Sequence, residues 1–373
     1  MAGYGLAVQW RGTSVRSVLA LVGVALLGLL SACASAAPSG GSVPAASSAA
    51  PAPAAGAPAA AGAPAASPAA SAPVPLRVAY TTASGVIAPL WIAHEAGLFR
   101  EQGIESELQF VTAGAPMSAA VRNGEIDLVV GAGGPSIIQG VFAGVDHVVV
   151  GMTGNVLPGA LYAQPNIQRP EDLRGGVVAV SRYKAIADII ARQALLRSGL
   201  QPDRDVSIIQ TGGIPEAMAA METGVVQAAS LTSPITLKAR QLGYRELVDV
   251  AALRVPFFNS TIATTRKYLA EQPDVVDRAM RALALGIRRY QADPAYAMQV
   301  VSQYTNVTDP ELLEEDYWAN LPTFQPDLAI DPQGVQAALD LEENPAARTA
   351  KFEDFVDLRP LERLRASGFF ERL

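Results

Sequence analysis

The chain has 373 residues, a formal net charge of −7 and one cysteine, Cys33. The two arginines before residue 76 leave 26 of the 28 Lys and Arg in the body, against all 35 Asp and Glu. Such an acidic body argues against nucleic acid as a partner, and its lack of cysteine excludes disulfides, thiol nucleophiles and cysteine metal sites there.

Arg11 and Arg16 precede "VLALVGVALLGLL" (residues 18–30), an apolar run too short for a usual membrane span. "LSAC" (residues 30–33) follows: a branched apolar residue, two small residues and the cysteine. This resembles the bacterial lipoprotein lipobox. The resemblance implies a signal peptide over residues 1–32 and a lipid on Cys33; an ordinary signal peptide with an incidental cysteine is the alternative. Residues 34–75 contain only Ala, Ser, Pro, Gly and Val. Without charge or periodicity, residues 33–75 read as the lipidated cysteine and a disordered tether stiffened by proline. Together these features predict a body working outside the cytoplasm, at a membrane.

The body opens with the strand "LRVAYT" (residues 76–81), followed by "APLWIAHEAGLFREQG" (residues 88–103) at helical spacing with a glycine stop. The strand "ELQFV" leads into "TAGAP" (residues 112–116), then a short helix. "GEIDLVVGAGGPS" (residues 124–136) reads as a turn, a buried strand and a Gly-rich exit into another helix. From Gly175 the same order returns. The strand "GGVVAVS", the helix "KAIADIIARQALLRSG" (residues 184–199) and the strand "VSIIQ" come first. Then follow "TGGIP" (residues 211–215), the helix "EAMAAMETG" and the strand and exit "VVQAASLTSP". Two copies make a duplicated unit, not a solenoid. After residue 265 the chain becomes mainly helical, with helices expected at residues 273–294 and 332–343 and packing on the first lobe.

Alternating strands and helices imply parallel sheets covered by helices, with ligands beyond the carboxyl ends of the strands. The loops there are rich in Gly, Ser, Thr and Pro. Glycines let backbone N–H groups approach a ligand, hydroxyls donate or accept, and helix N-termini add free N–H donors. The candidate ligand-binding residues in the first unit are Ser84, Gly85, Gly114, Gly133, Gly134 and Ser136. In the second they are Ser181, Arg182, Tyr183, Thr211, Gly212, Gly213, Thr232 and Ser233, with Asn259 after it. Arg182 could pair with a sulfonate, nitrate or carboxylate, although a surface arginine is the default. Tyr80, Tyr183, Phe257 and Phe258 could stack on a planar ligand or simply fill the core. "GAGGPS" lacks the endings of a phosphate loop. His94 and His147 have no His partner at metal-binding spacing and read as structural or exposed. No "GxSxG" elbow is present, and no catalytic residue, metal or cofactor is expected.

The stretches "APLWIAHEAGLFREQGIE", "AAVRNGEIDLVVG", "EDLRGGVVAV" and "AAMETGVVQAASLTSP" resemble ABC-transporter solute-binding proteins of the nitrate/sulfonate/taurine type. Those are similar in turn to the thiamine-pyrimidine synthase family. The resemblance implies a type II periplasmic-binding-protein fold: two α/β lobes, a ligand cleft between them and a helical C-terminal segment. Carried over, residues 76–154 begin the first lobe, 155–254 form the second, and 255–373 complete the first and add helices. It implies a monomer that captures a small polar solute, such as a sulfonate or nitrate-like ion, and delivers it to a permease and its ATPase. A planar heterocycle, such as a thiamine-precursor pyrimidine, is the alternative ligand. A synthase-like enzyme is a weaker reading, because that family uses a cysteine-rich motif and iron. The family commonly has Asp where this chain has Gln227, which leaves the local hydrogen bonding there in question. Closure is expected to bend residues 152–159 and 250–258.

Overall fold

Two five-stranded sheets organise residues 72–373, the part of the chain that this computed structural model describes. The expected signal peptide, Cys33 and all but the last four residues of the expected tether lie outside the described residues. In chain order the strands are β1 (Val74–Tyr80), β2 (Ile104–Phe110), β3 (Leu128–Ala132), β4 (His147–Val156) and β5 (Ala160–Ala163). They continue as β6 (Val177–Val180), β7 (Ser207–Gln210), β8 (Ala228–Leu231), β9 (Arg245–Asp249) and β10 (Pro256–Thr265).

The first sheet has the order β2-β1-β3-β10-β4 and the second β7-β6-β8-β5-β9. In the first, β1 pairs in parallel with β2 and β3, and β10 runs antiparallel between β3 and β4. In the second, β6 is parallel to β7 and β8, and β5 is antiparallel to β8 and β9. The orders are therefore equivalent slot by slot. Register repeats too. Val78 faces Leu108 and Leu128, and Val178 faces Ile208 and Ala228, each one hundred residues later. Central strands covered on both faces need unbroken apolar runs, and all four residues of β8 are buried.

The helices of the first lobe are α1 (Ala88–Glu95), α2 (Leu98–Glu101), α3 (Ala115–Arg122) and α4 (Gly134–Phe142). The second lobe carries α5 (Ile186–Arg197), α6 (Ile214–Glu222) and α7 (Ile235–Gln241). The repeated phrases mark helix boundaries. Pro116 and Pro215 sit in the first turns of α3 and α6, where no N–H is needed. Gly124 and Gly224 follow those helices at φ +70° and +75°, a conformation that glycine adopts without strain.

Two local expectations are corrected. The helix read over residues 88–103 is broken: Gly97, at φ +72°, separates α1 from α2. Strand β1 begins inside the expected tether, and Val74 and Pro75 pair with Ile104 and Glu105. Pro75 is tolerated because β1 pairs with β3 only from Val78, so its missing N–H breaks no ladder on that side.

The C-terminal helices are α8 (Arg266–Glu271), α9 (Pro273–Ala292), α10 (Pro294–Thr305), α11 (Pro310–Asn320), α12 (Pro332–Leu341) and α13 (Arg359–Ala366). Their apolar faces join the core of the first sheet: Leu283, Ile287, Val300, Leu339 and Leu361 are buried with Trp91 and Val149. Each such burial contributes about 1.5–3 kcal/mol. Helices α1 and α9 approach closely, since a Cβ on Gly286 would lie 2.3 Å from the Pro89 carbonyl oxygen. The second sheet has a small core on each face, one around Leu161 and Leu195, the other around Tyr162 and Met218.

The chain leaves the first sheet at residues 157–159 and returns at residues 250–255. These crossings are hydrogen-bonded to each other: Leu157 N–H donates to Val255 O at 2.9 Å, and Val250 N–H to Gly159 O at 3.1 Å. The irregular part of each crossing is shorter than the stretches expected to bend, because residues 152–156 and 256–258 belong to β4 and β10.

Candidate functional site

A cleft of about 1080 Å³ is lined from both sheets and from α11. Its floor comes from the carboxyl ends of the central strands. Ser84 follows β1, Ser181 follows β6, and Thr232 and Ser233 follow β8. Asn259, on β10, completes the set of candidates that the structure brings together there. Ser233 Oγ is buried and has no hydrogen-bond partner among the described residues.

The other candidates lie elsewhere. Gly114 and Thr211, Gly212 and Gly213 follow β2 and β7, the outer edge strands, and are not in the lining; that stretch reaches the cleft only through Ile214. Thr211 Oγ1 is held locally by the Val180 and Gly213 carbonyls, both at 3.1 Å. Gly133 and Ser136 stand at the start of α4, outside the lining. Gly134 is glycine because a Cβ there would lie 1.9 Å from the Phe258 ring. Arg182 is exposed and outside the lining. Tyr183 faces a smaller cavity of about 440 Å³ with Phe257 and Pro135, its hydroxyl donating to the Ile208 carbonyl at 3.1 Å. Gly85 adjoins the cleft for a steric reason: a Cβ there would lie 1.6 Å from Asp316 Oδ2.

The opposite wall was not anticipated. Helix α11 contributes Glu311, Glu314, Glu315, Asp316 and Trp318, and the second lobe adds Tyr162, Thr236, Arg240, Glu246 and Asp249. Contacts between α7 and α11 span the two lobes. Thr236 and Arg240 both donate to the buried Glu315 carboxylate, and Gln241 Nε2 donates to Glu311 at 3.0 Å. Arg240 also donates to the Tyr162 hydroxyl at 3.1 Å, which donates to Glu246 at 2.6 Å. Burial and the Glu246 carboxylate raise the Tyr162 phenol pKa, so it acts here as a neutral donor. Asp316 accepts from Asn320 Nδ2 at 3.1 Å, and burial pushes its carboxyl up to about 6. The run "EED" before "YW" in α11 was the available signal, but no spacing rule connects it to a cleft so far back in the chain.

The two histidines are structural. His94 Nδ1 lies 2.8 Å from Ser106 Oγ, and His147 is buried at the start of β4. Among the described residues no group of three His, Cys, Asp or Glu converges as a metal site requires.

Two equivalent α/β lobes, each with one antiparallel strand in the same slot, joined by two adjacent crossings over a cleft at the strand ends, make a type II periplasmic-binding-protein fold. The chain belongs to the NMT1/THI5 like family, which matches residues 84–297. A Brucella abortus (strain 2308) protein, whose name marks it provisionally as a binding protein, is 25% identical over 258 residues. The match covers 65% of this chain and 75% of that one. Among solved structures, the periplasmic aliphatic sulphonate binding protein SsuA from Escherichia coli is similar at 21% identity and TM-score 0.53, over 72% of this chain and 85% of that one. The periplasmic nitrate-binding protein NrtA from Synechocystis PCC 6803 is similar at 13% identity and TM-score 0.56, over 79% and 89%. The desulfurization enzyme DSZB shares the fold at 14% identity and TM-score 0.56, over 78% and 99%.

Proposed function

We propose that this chain is the extracytoplasmic solute-binding component of an ABC importer, and not an enzyme. The observation that carries the reading is the cleft: two like lobes face each other across it and are joined by crossings short enough to bend. The names of the sulphonate- and nitrate-binding neighbours support it. The solute closes the lobes, and the closed form docks on a permease driven by an ATPase. The leader and Cys33 hold the body at a membrane as a lipoprotein, and the protein works as a monomer.

The enzyme reading is carried by fold alone, through the desulfurization neighbour. A synthase of the thiamine-pyrimidine kind would need a cysteine-rich motif, and no cysteine follows Cys33. The sulfonate or nitrate-like solute implied by the resemblance finds little support in the lining, where one arginine stands among six carboxylates. Of the aromatic residues expected to stack on a heterocycle, Tyr183 is tied to Ile208 and Phe257 is buried.

The test is titration calorimetry of the full chain with a panel of small anions and amines, followed by mass spectrometry of the solute. One-to-one binding with the solute recovered unchanged is expected. Chemical conversion of the solute, or no binding by any member, would overturn the reading.

A further inference from the structure

The cleft has an unusual charge balance for a site expected to hold an anion. Glu246 and Asp249 line it from β9, and Glu311, Glu314, Glu315 and Asp316 from α11; Arg240 is the one cation in the lining. Among the described residues only Glu315 of these six is in an ion pair, with Arg240. The others meet neutral donors or none. Tyr162 donates to Glu246, Gln241 to Glu311, and Trp318 Nε1 to Glu314 at 3.3 Å.

Asp316 is the most constrained of them. Its Oδ1 accepts from Asn320, and its buried Oδ2, packed where a side chain on Gly85 would be, meets no donor beyond the Gly85 backbone N–H and no cation. Burying a carboxylate without a counter-charge is costly. Burial pushes its carboxyl up to about 6, and among the described residues no cation pairs with it. The site therefore lacks one positive charge. An anion entering it would add repulsion to desolvation, and an organic cation would relieve both.

Two further observations narrow the class. Trp318 lines the cleft with 56% of its surface exposed, and an indole face attracts cations. The carboxylates stand on both lobes and do not converge as a metal ion requires among the described residues. Charge spread over two walls suits an elongated organic cation better than a compact inorganic one.

We propose that the cleft takes an amine- or amidine-bearing organic cation, with Asp316 as its counter-charge and Trp318 as its aromatic wall. The assignment rests on the reading of the chain as a solute-binding protein. Closure then brings β9 and α11 onto the two ends of one ligand.

Calorimetry of the full chain at pH 7.5 with putrescine, agmatine, ethanesulfonate and nitrate tests this on wild type, Asp316→Asn and Trp318→Leu. Putrescine or agmatine is expected to bind one to one, at least tenfold more tightly than either anion. Asp316→Asn should weaken that amine at least tenfold and Trp318→Leu at least threefold. Asparagine keeps the shape of Asp316, and thermal melts report whether the variant folds; if it does not, the exposed Trp318 decides. An anion that binds more tightly than both amines overturns the cation assignment and leaves the solute-binding reading standing. An amine bound equally well by both variants removes Asp316 and Trp318 from the site. No heat with any of the four probes overturns the proposal and counts against the solute-binding reading as well.

Discussion

Gln227 Oε1 accepts the Val177 N–H at 2.8 Å, and Asp127 Oδ2 accepts the Arg77 N–H at 2.9 Å, one hundred residues earlier on both sides of the bond. Each side chain closes the gap between two parallel strands just before their ladder begins. An amide oxygen therefore makes in the second unit the bond that the Asp127 carboxylate makes in the first. The two sites differ in what else they hold. Asp127 also accepts from Arg77 Nε at 2.9 Å and from its terminal nitrogen at 2.6 Å, whereas Gln227 makes one bond to a neutral strand.

This difference fixes an order of effects. Gln227→Ala removes one neutral hydrogen bond and should cost about 1 kcal/mol. Asp127→Ala removes three, two of them charge-assisted, and should cost about 2–3 kcal/mol, with Arg77 partly exposed to water limiting the figure. Urea unfolding of both variants gives the comparison. Equal losses would mean that the Arg77 pair contributes nothing beyond the backbone bond.

The duplicated unit was legible because each strand and helix announced itself locally: apolar runs, Pro in the first turn, Gly after the last. The cleft was legible only in part. Ser84, Ser181, Thr232 and Ser233 follow the central strands and reach it, but Gly114 and Thr211 follow strands that look equally strand-like and end at the sheet edges. Sheet order is set by long-range pairing, which local pattern does not carry. The acidic wall was harder still. Glu315 and Asp316 meet Thr236 and Gly85 from 79 and more than two hundred residues away, and nothing in α11 marks which face turns toward the cleft.

Gly85 and Asp316 should behave as one unit. A methyl group at position 85 would overlap Asp316 Oδ2 and come within 2.9 Å of Asn320 Nδ2. Gly85→Ala should therefore destabilise by about 1–3 kcal/mol, the range for overpacking. Asp316→Ala in the same chain should recover at least about 1 kcal/mol of that, a coupling typical of residues in contact. Thermal or urea denaturation of the double-mutant cycle measures it, and simple additivity would mean that the helix end shifts instead of clashing.

Cys33 is expected to carry the lipid and to begin the mature chain. Cys33→Ala should move the body from the membrane fraction to the soluble one. Mass spectrometry of the wild type should find a diacylglycerol-modified N-terminus. A variant that remains with the membrane, beside a wild type without lipid, refutes the anchor.

His147 sets an acid limit on stability. Its ring is buried against Gly140, and burial lowers its pKa from 6.5 to about 4, with Asp146 opposing weakly. The unfolded chain takes up the proton near pH 6.5 and the folded one only near 4. Stability is therefore full above pH 7, falls as the pH drops through this window, and levels off below it. The whole step amounts to about 3 kcal/mol. His147→Gln should flatten the pH profile between 6.5 and 4. A profile as steep as that of the wild type would place the acid sensitivity in the carboxylates.

The hinge should be sensitive at Gly159. This residue lies in the first crossing at φ +89°, and its carbonyl accepts the Val250 N–H from the second. A Cβ there would stand 2.8 Å from the Leu231 carbonyl oxygen, 2.9 Å from Ile190 Cδ1 and 3.0 Å from Thr232 Cγ2. Gly159→Ala is thus strained in backbone and in packing, and the push falls on Thr232, which lines the cleft. Both effects act on the crossing that must bend if the lobes are to close. Stability should fall by about 1–3 kcal/mol, the range for a strained position. With saturating putrescine, small-angle scattering should show compaction of the wild type and a smaller change, or none, in the variant. A variant that compacts fully despite its lower stability would move the hinge to the second crossing, where Arg254 at φ +50° becomes the residue to change.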